Sequence, residues 1–205
     1  MYFKVLLMNE STSNVEALSE IKRMMERSSR FISLSGWSGI AAGICALAGA
    51  VIARYLLNDA DSFGELKTNL MLLAALVFLA SFTLAMFFTY TQSKKDGVPI
   101  WGSTARRLIW NTLLPMLAGA VVIFRLIDLE LFELLVPAAL VFYGLALING
   151  SKYTMGEVRF LGYAELLTGL ISLWFPAYAL IFWGIGFGIY HIIYGIAMWW
   201  KIDRN

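Results

Sequence analysis

Two ionisable side chains interrupt otherwise apolar stretches of this sequence. Glu165 lies within Leu161-Gly162-Tyr163-Ala164-Glu165-Leu166-Leu167, and His191 within Phe187-Gly188-Ile189-Tyr190-His191-Ile192-Ile193. If these stretches are membrane helices, each group is costly where it stands, and such groups often line ion or proton paths. A carboxyl and an imidazole in contact can relay protons or sense pH. They can equally lock two helices together as a structural polar pair, or Glu165 can reach the interface beside Arg159. At 1.5 Å per helical residue, Glu165 falls about 9 Å beyond Arg159 and His191 about 14 Å before Trp200. The two groups therefore approach one level if their helices run in opposite senses. Thr168 falls near the level of His191, and Asn111 is a shallower polar residue of an earlier stretch. Glu165, His191, Thr168 and Asn111 form the candidate intramembrane polar site.

Little else in the chain is equipped to react. Cys45 is the single cysteine, which excludes an intrachain disulfide and a cysteine metal cluster. There is no HExxH, no Walker loop, no GxGxxG and no paired histidines for haem or metal. No catalytic residue, metal or cofactor is expected, and the chain is read as a non-enzyme. Gly36-Trp37-Ser38-Gly39 matches the GxSG of rhomboid proteases. In that family the nucleophile sits in the fourth core span with supporting His and Asn residues. Here the serine opens the first span and that support is absent, so the pattern stands without its context.

The elements that must hold the polar site follow from composition. The 205 residues are 60% hydrophobic and only 15% charged, with mean hydropathy +0.71. A soluble domain is about 45–50% apolar and about 25% charged. The surplus of apolar surface requires lipid as its solvent, so the bilayer is the first expected partner. The net charge of +2 is too small to indicate nucleic acid. A spanning helix takes about 20 mostly apolar residues, and six segments qualify: 34–57, 69–90, 106–125, 131–149, 159–175 and 177–200. Pro176 separates the last two, because it disfavours helix at Phe175 and lets the chain turn. Met1 to Met8 is too short for a signal-peptide core. The expected fold is all-α: a polytopic membrane protein of six transmembrane helices arranged as three helical hairpins (34–205), preceded by a cytoplasmic segment (1–33).

Lys and Arg mark cytoplasmic loops. Lys4, Lys22, Arg23, Arg27, Arg30, Lys94, Lys95, Arg106, Arg107, Lys152, Arg159, Lys201 and Arg204 fall on one side of a six-span arrangement, and only Arg54, Lys67 and Arg125 on the other. Both termini are thus expected in the cytoplasm of a bacterial inner membrane. Residues 13–29 form an expected amphipathic helix, with Ser13 and Glu16 as a capping box and Val15, Leu18, Ile21, Met24 and Met25 on one face. It can lie on the inner leaflet, pack on the bundle or bind a partner. Trp110, Trp174, Trp183, Trp199, Trp200, Tyr55, Tyr90 and Tyr178 fall near span ends, as an aromatic belt does.

An internal repeat links Leu47-Ala48-Gly49-Ala50-Val51 to Leu117-Ala118-Gly119-Ala120-Val121, and Ala74-Ala75-Leu76-Val77-Phe78 to Ala138-Ala139-Leu140-Val141-Phe142. A fainter echo joins Tyr143-Gly144-Leu145-Ala146-Leu147 to Tyr194-Gly195-Ile196-Ala197-Met198. Hairpin duplication and chance recurrence in a small apolar alphabet both account for it. Ser35, Gly39 and Gly43, and Gly184 and Gly188, recur at spacings of four, which let helices approach closely. They serve either packing within the chain or a homo-oligomer or partner face.

The stretch Met24-Met25-Glu26-Arg27-Ser28-Ser29-Arg30-Phe31-Ile32-Ser33-Leu34-Ser35-Gly36 resembles the opening of a group of uncharacterised six-span bacterial membrane proteins, chiefly from Bacteroidetes. The glycine rhythm from Gly184 to Gly195 is similar to that of the HdeD acid-resistance membrane proteins. The resemblance implies a six-span fold and, by analogy, a role in envelope stress. The leading expectation is a non-enzymatic membrane protein acting through helix packing, as an assembly partner or envelope-stress factor. The alternative is a small transporter or proton-coupled channel using Glu165 and His191.

Overall fold

The computed structural model describes residues 35–59, 62–97 and 101–203, and all regular structure among them is helical. Helix α1 spans Gly36–Asp59, α2 Phe63–Asp96, α3 Ser103–Asp128, α4 Leu135–Gly150 and α5 Glu157–Ser172. The run Pro176–Lys201, α6, changes its winding along its length. The expected amphipathic helix 13–29 lies outside the described residues.

Among the described residues five helical runs are long and apolar enough to cross a membrane: α1, α2, α3, α4 with its flanking 3-10 turns (Phe132–Tyr153), and α6. Helix α5 has 16 residues, about 24 Å at 1.5 Å per residue, less than the roughly 30 Å of hydrocarbon. Helix α2 departs furthest from its expected limits, with 34 residues where the apolar run is 69–90. Its polar ends are helical because they are capped. Ser62 Oγ accepts the Glu65 N–H at 3.3 Å, and Gly97, at φ 64°, ends the helix by donating its N–H to the Ser93 carbonyl. After α5 the chain turns through Leu173–Phe175, and Pro176 opens a 3-10 turn, where its missing N–H breaks no bond.

Contacts at the two ends of the molecule show that successive helices run antiparallel. At one end the Phe63 and Phe132 rings meet edge-on, 5.6 Å between centroids, with the Lys67 ammonium 5.5 Å from the same Phe132 ring. At the opposite end Trp37 meets Trp199, Lys201 pairs with Glu157, and Gly150 faces Leu108 and Thr112. Lys94, Lys95, Arg106, Arg107, Lys152, Arg159 and Lys201 belong to this second end, and Arg54, Lys67 and Arg125 to the first.

The packing follows small residues. Helix α1 lies beside α2 and α3 beside α4, but α5 packs most extensively on α4, and α6 on α1. Helix α6 is thus held between α1 and the α4–α5 pair instead of closing a separate hairpin with α5. A Cβ on Gly43 would stand 2.7 Å from the Gly188 carbonyl, and one on Gly144 2.6 Å from the Leu166 nitrogen, so both seams rest on backbone contact that only glycine permits. The repeat has a packing counterpart. Gly49 seats Val77 in the first pair of helices, and Gly119 seats Phe142 in the second.

Candidate functional site

The site lies where α6 faces α5 and α4. Helix α5 buries Val158, Leu161, Gly162, Glu165, Thr168, Gly169 and Ser172, a stripe at helical spacing that carries the polar residues inward. Glu165 is 0% exposed and His191 7%. Glu165 Oε1 stands 3.4 Å from His191 Nδ1. That separation is close enough for an ion pair but is not aligned as a hydrogen bond, and neither Glu165 oxygen has a hydrogen-bond partner. Buried polar atoms are nearly always bonded, so two unbonded oxygens on one carboxyl set this residue apart from a simple helix lock.

The imidazole is held on both nitrogens. Nδ1 lies 3.2 Å from the Gly186 carbonyl and Nε2 2.8 Å from the Tyr143 hydroxyl. A carbonyl can only accept, so with the proton on Nδ1 the ring donates to Gly186 and Nε2 accepts from Tyr143. With Nδ1 bare, that nitrogen becomes an acceptor facing Glu165, and Nε2–H donates to the Tyr143 oxygen. The His191 ring stacks with Tyr143 and Phe187, centroids 5.5 and 6.2 Å away, and those two rings meet at a tilt, 5.2 Å apart, which fixes the imidazole plane.

Helix α6 supplies this geometry through an unusual winding. It is α-helical over Ala179–Trp183, opens into a π-helix over Gly184–Tyr190, and returns to α-helix over His191–Met198. A π-helix takes more residues per turn and recurs at functional sites. Gly186 lies in that segment, and a Cβ there would come within 2.6 Å of Glu165 Oε2. The wide turn and the glycine together make room for the carboxyl.

The other expected site residues are placed differently. Thr168 is buried, but its hydroxyl bonds the Tyr190 hydroxyl at 3.1 Å rather than Glu165 or His191. Asn111 makes its hydrogen bonds elsewhere. Its amide donates to its own helix at the Arg107 carbonyl, 2.8 Å away, and its backbone carbonyl accepts from Asn149 of α4, also at 2.8 Å. That carbonyl is open to an outside donor because Pro115 has no N–H for the residue four positions earlier. Asn149 supplies the missing donor. The packing residues Gly39 and Gly43 sit on the α1 face toward α6, and Ser35 is buried just before that helix. Gly188 is pressed on Leu47, whereas a Cβ on Gly184 would meet Leu47 only at 3.8 Å. Ser38, of the GxSG pattern, donates to the Ser35 carbonyl at 2.6 Å.

Tyr143, Gly186 and Tyr194 are the site residues that sequence reasoning passed over. The Tyr194 hydroxyl is buried without a partner. Both tyrosines open segments of the faint Tyr-Gly repeat. A tyrosine in mid-span, away from the aromatic belt, needs a polar partner, and that was the available signal. No family model, curated protein or solved structure matches the chain.

Proposed function

We propose that this chain is a multi-pass protein of the bacterial inner membrane, with six spans and both termini in the cytoplasm, that moves protons as a small proton-coupled channel or transporter. The observation that carries the reading is the buried Glu165 carboxyl, unbonded on both oxygens and 3.4 Å from an imidazole bonded to Tyr143 on its far side. Glu165 takes up a proton and gives it to the bare Nδ1 of His191, Nε2 gives its own proton to the Tyr143 oxygen, and the Tyr143 hydroxyl releases its proton to water that an opened state admits. The basic residues at one end of the bundle support the orientation. The count of six rests on α5 crossing a bilayer thinned around it, at modest cost per ångström of mismatch. With Glu165 fully buried, the arrangement corresponds to an occluded state. The π-helical segment of α6 is the element whose rewinding would open it.

The test is proton flux in proteoliposomes under an imposed pH gradient with a potassium shunt. Wild type should conduct above empty vesicles, and Glu165→Gln and His191→Ala should lower the rate roughly ten-fold or more, the smaller end of what a positioned acid or base contributes. Wild-type flux equal to empty vesicles, or unchanged in both variants, overturns the reading.

A second reading keeps the protein as a non-enzymatic assembly partner or envelope-stress factor acting through helix packing. Helix α2 favours it: among the described residues α1 is the only helix it packs on extensively, and no residue in its spanning window is buried by them, which leaves a long face for a second copy or a membrane partner. The glycines at spacings of four, open to packing within the chain or to a partner face, are taken up between α1 and α6. A stoichiometric partner that co-purifies and is lost on Leu76→Trp would support this role, and a stable monomer without one would remove it.

A further inference from the structure

An open groove of about 480 Å³ runs along the outside of α3 and α4, away from the Glu165 pair. Its wall is apolar, with Pro115, Ala118, Phe142 and Leu145, and one end carries Asn149 and Lys152. The size falls within the roughly 300–1,000 Å³ of ligand clefts. The polar end is built, not incidental. Asn149 spends its amide N–H on the carbonyl that Pro115 leaves free, and its Oδ1 accepts from the Lys152 ammonium at 3.2 Å. The cation is therefore posted over the mouth of the groove, at the same end of the bundle as Arg106 and Arg107.

We infer that this groove binds one anionic phospholipid of the leaflet on the basic side, an acyl chain lying along Ala118 and Leu145 and the phosphate on Lys152. Charge and shape select this occupant together. An apolar trough open along its length suits a hydrocarbon chain, and a basic site between helices at the headgroup level suits a phosphate. The inference uses the membrane embedding proposed above but not the proton path, and its readout does not involve flux, so either can fail without the other.

The experiment is thermal unfolding of the full chain in detergent with phosphatidylglycerol, phosphatidylcholine of the same chains, or inorganic phosphate added. Phosphatidylglycerol should raise Tm by about 5 °C at saturation, as mass action by a bound ligand does, with little effect from the other two. Lys152→Gln should abolish the preference for phosphatidylglycerol. Ala118→Phe, which fills the exposed groove and keeps the cation, should abolish the shift itself. Equal stabilisation by phosphatidylcholine, a shift with phosphate alone, or full retention in both variants overturns the proposal.

Discussion

Helices α2 and α5 invert each other. Helix α2 is 34 residues long, and among its described side chains only Ser93, near its basic end, is buried. Helix α5 is 16 residues long and buries seven, among them Glu165, Thr168 and Ser172. In water the long apolar run inside α2 would be the core. Here that run faces outward and the helix that carries Glu165, Thr168 and Ser172 sits inside, as expected when lipid is the solvent and interior contacts come from small and polar residues. Hydropathy in such a chain reads exposure to lipid, and its interruptions read the interior.

The strongest way to break this comparison is to add bulk at the interior seam. Gly144→Leu would drive α4 and α5 apart, because even a Cβ there stands 2.6 Å from the Leu166 nitrogen. It should cost about 3 kcal/mol or more, the upper range for overpacking, read as loss of folded protein in detergent titration. Next is Gly186→Ala, which forces the Glu165 carboxyl or Leu140 to move and should cost about 1–3 kcal/mol. It should also lower proton flux, whereas a purely structural Glu165 would change stability alone.

Smaller effects sharpen the comparison. Asn149→Ala leaves the Asn111 carbonyl without its donor and should cost about 1–2 kcal/mol. In a Pro115→Ala background the helix can supply its own N–H, so the cost of Asn149→Ala should shrink by about 0.5 kcal/mol or more in a double-mutant cycle. Tyr143→Phe removes the hydroxyl at His191 Nε2 and should cost about 1 kcal/mol. Last, Leu76→Ala on the outer face of α2 should stay within about 0.5 kcal/mol. A large loss there would mean that α2 is covered by something other than lipid.

Much of this was legible because polar residues stand out in an apolar chain. Glu165 and His191 were visible as interruptions, their helices were adjacent, and Pro176 marked the turn between them. The full length of α2 was also encoded, in the Ser62 and Glu65 capping spacing and in Gly97, but the polar ends read as loop because hydropathy stops at the hydrocarbon edge. The π-helix was not legible, since it depends on which carbonyl each N–H selects, and alternate glycines from Gly184 to Gly188 only permit it. Nor was the seating of α6 against α1, a contact between distant parts of the chain that glycine spacing allows but does not assign. Tyr143 stands in the sequence only as part of the faint Tyr-Gly repeat, and its bond to His191 joins residues 48 positions apart, which spacing does not assign.

Pro115 leaves a carbonyl of α3 to be claimed from outside, and Asn149 claims it. That bond has one height. Sliding α4 along α3 by a single residue, 1.5 Å, would separate donor from acceptor and strand both in a greasy setting. The two helices are consequently keyed to a single vertical setting and travel as one body. The seam between α1 and α6 is tied differently, by backbone-to-backbone contact at Gly43 and Gly188 and by the Trp183 indole N–H donating to the Ala46 carbonyl at 3.4 Å.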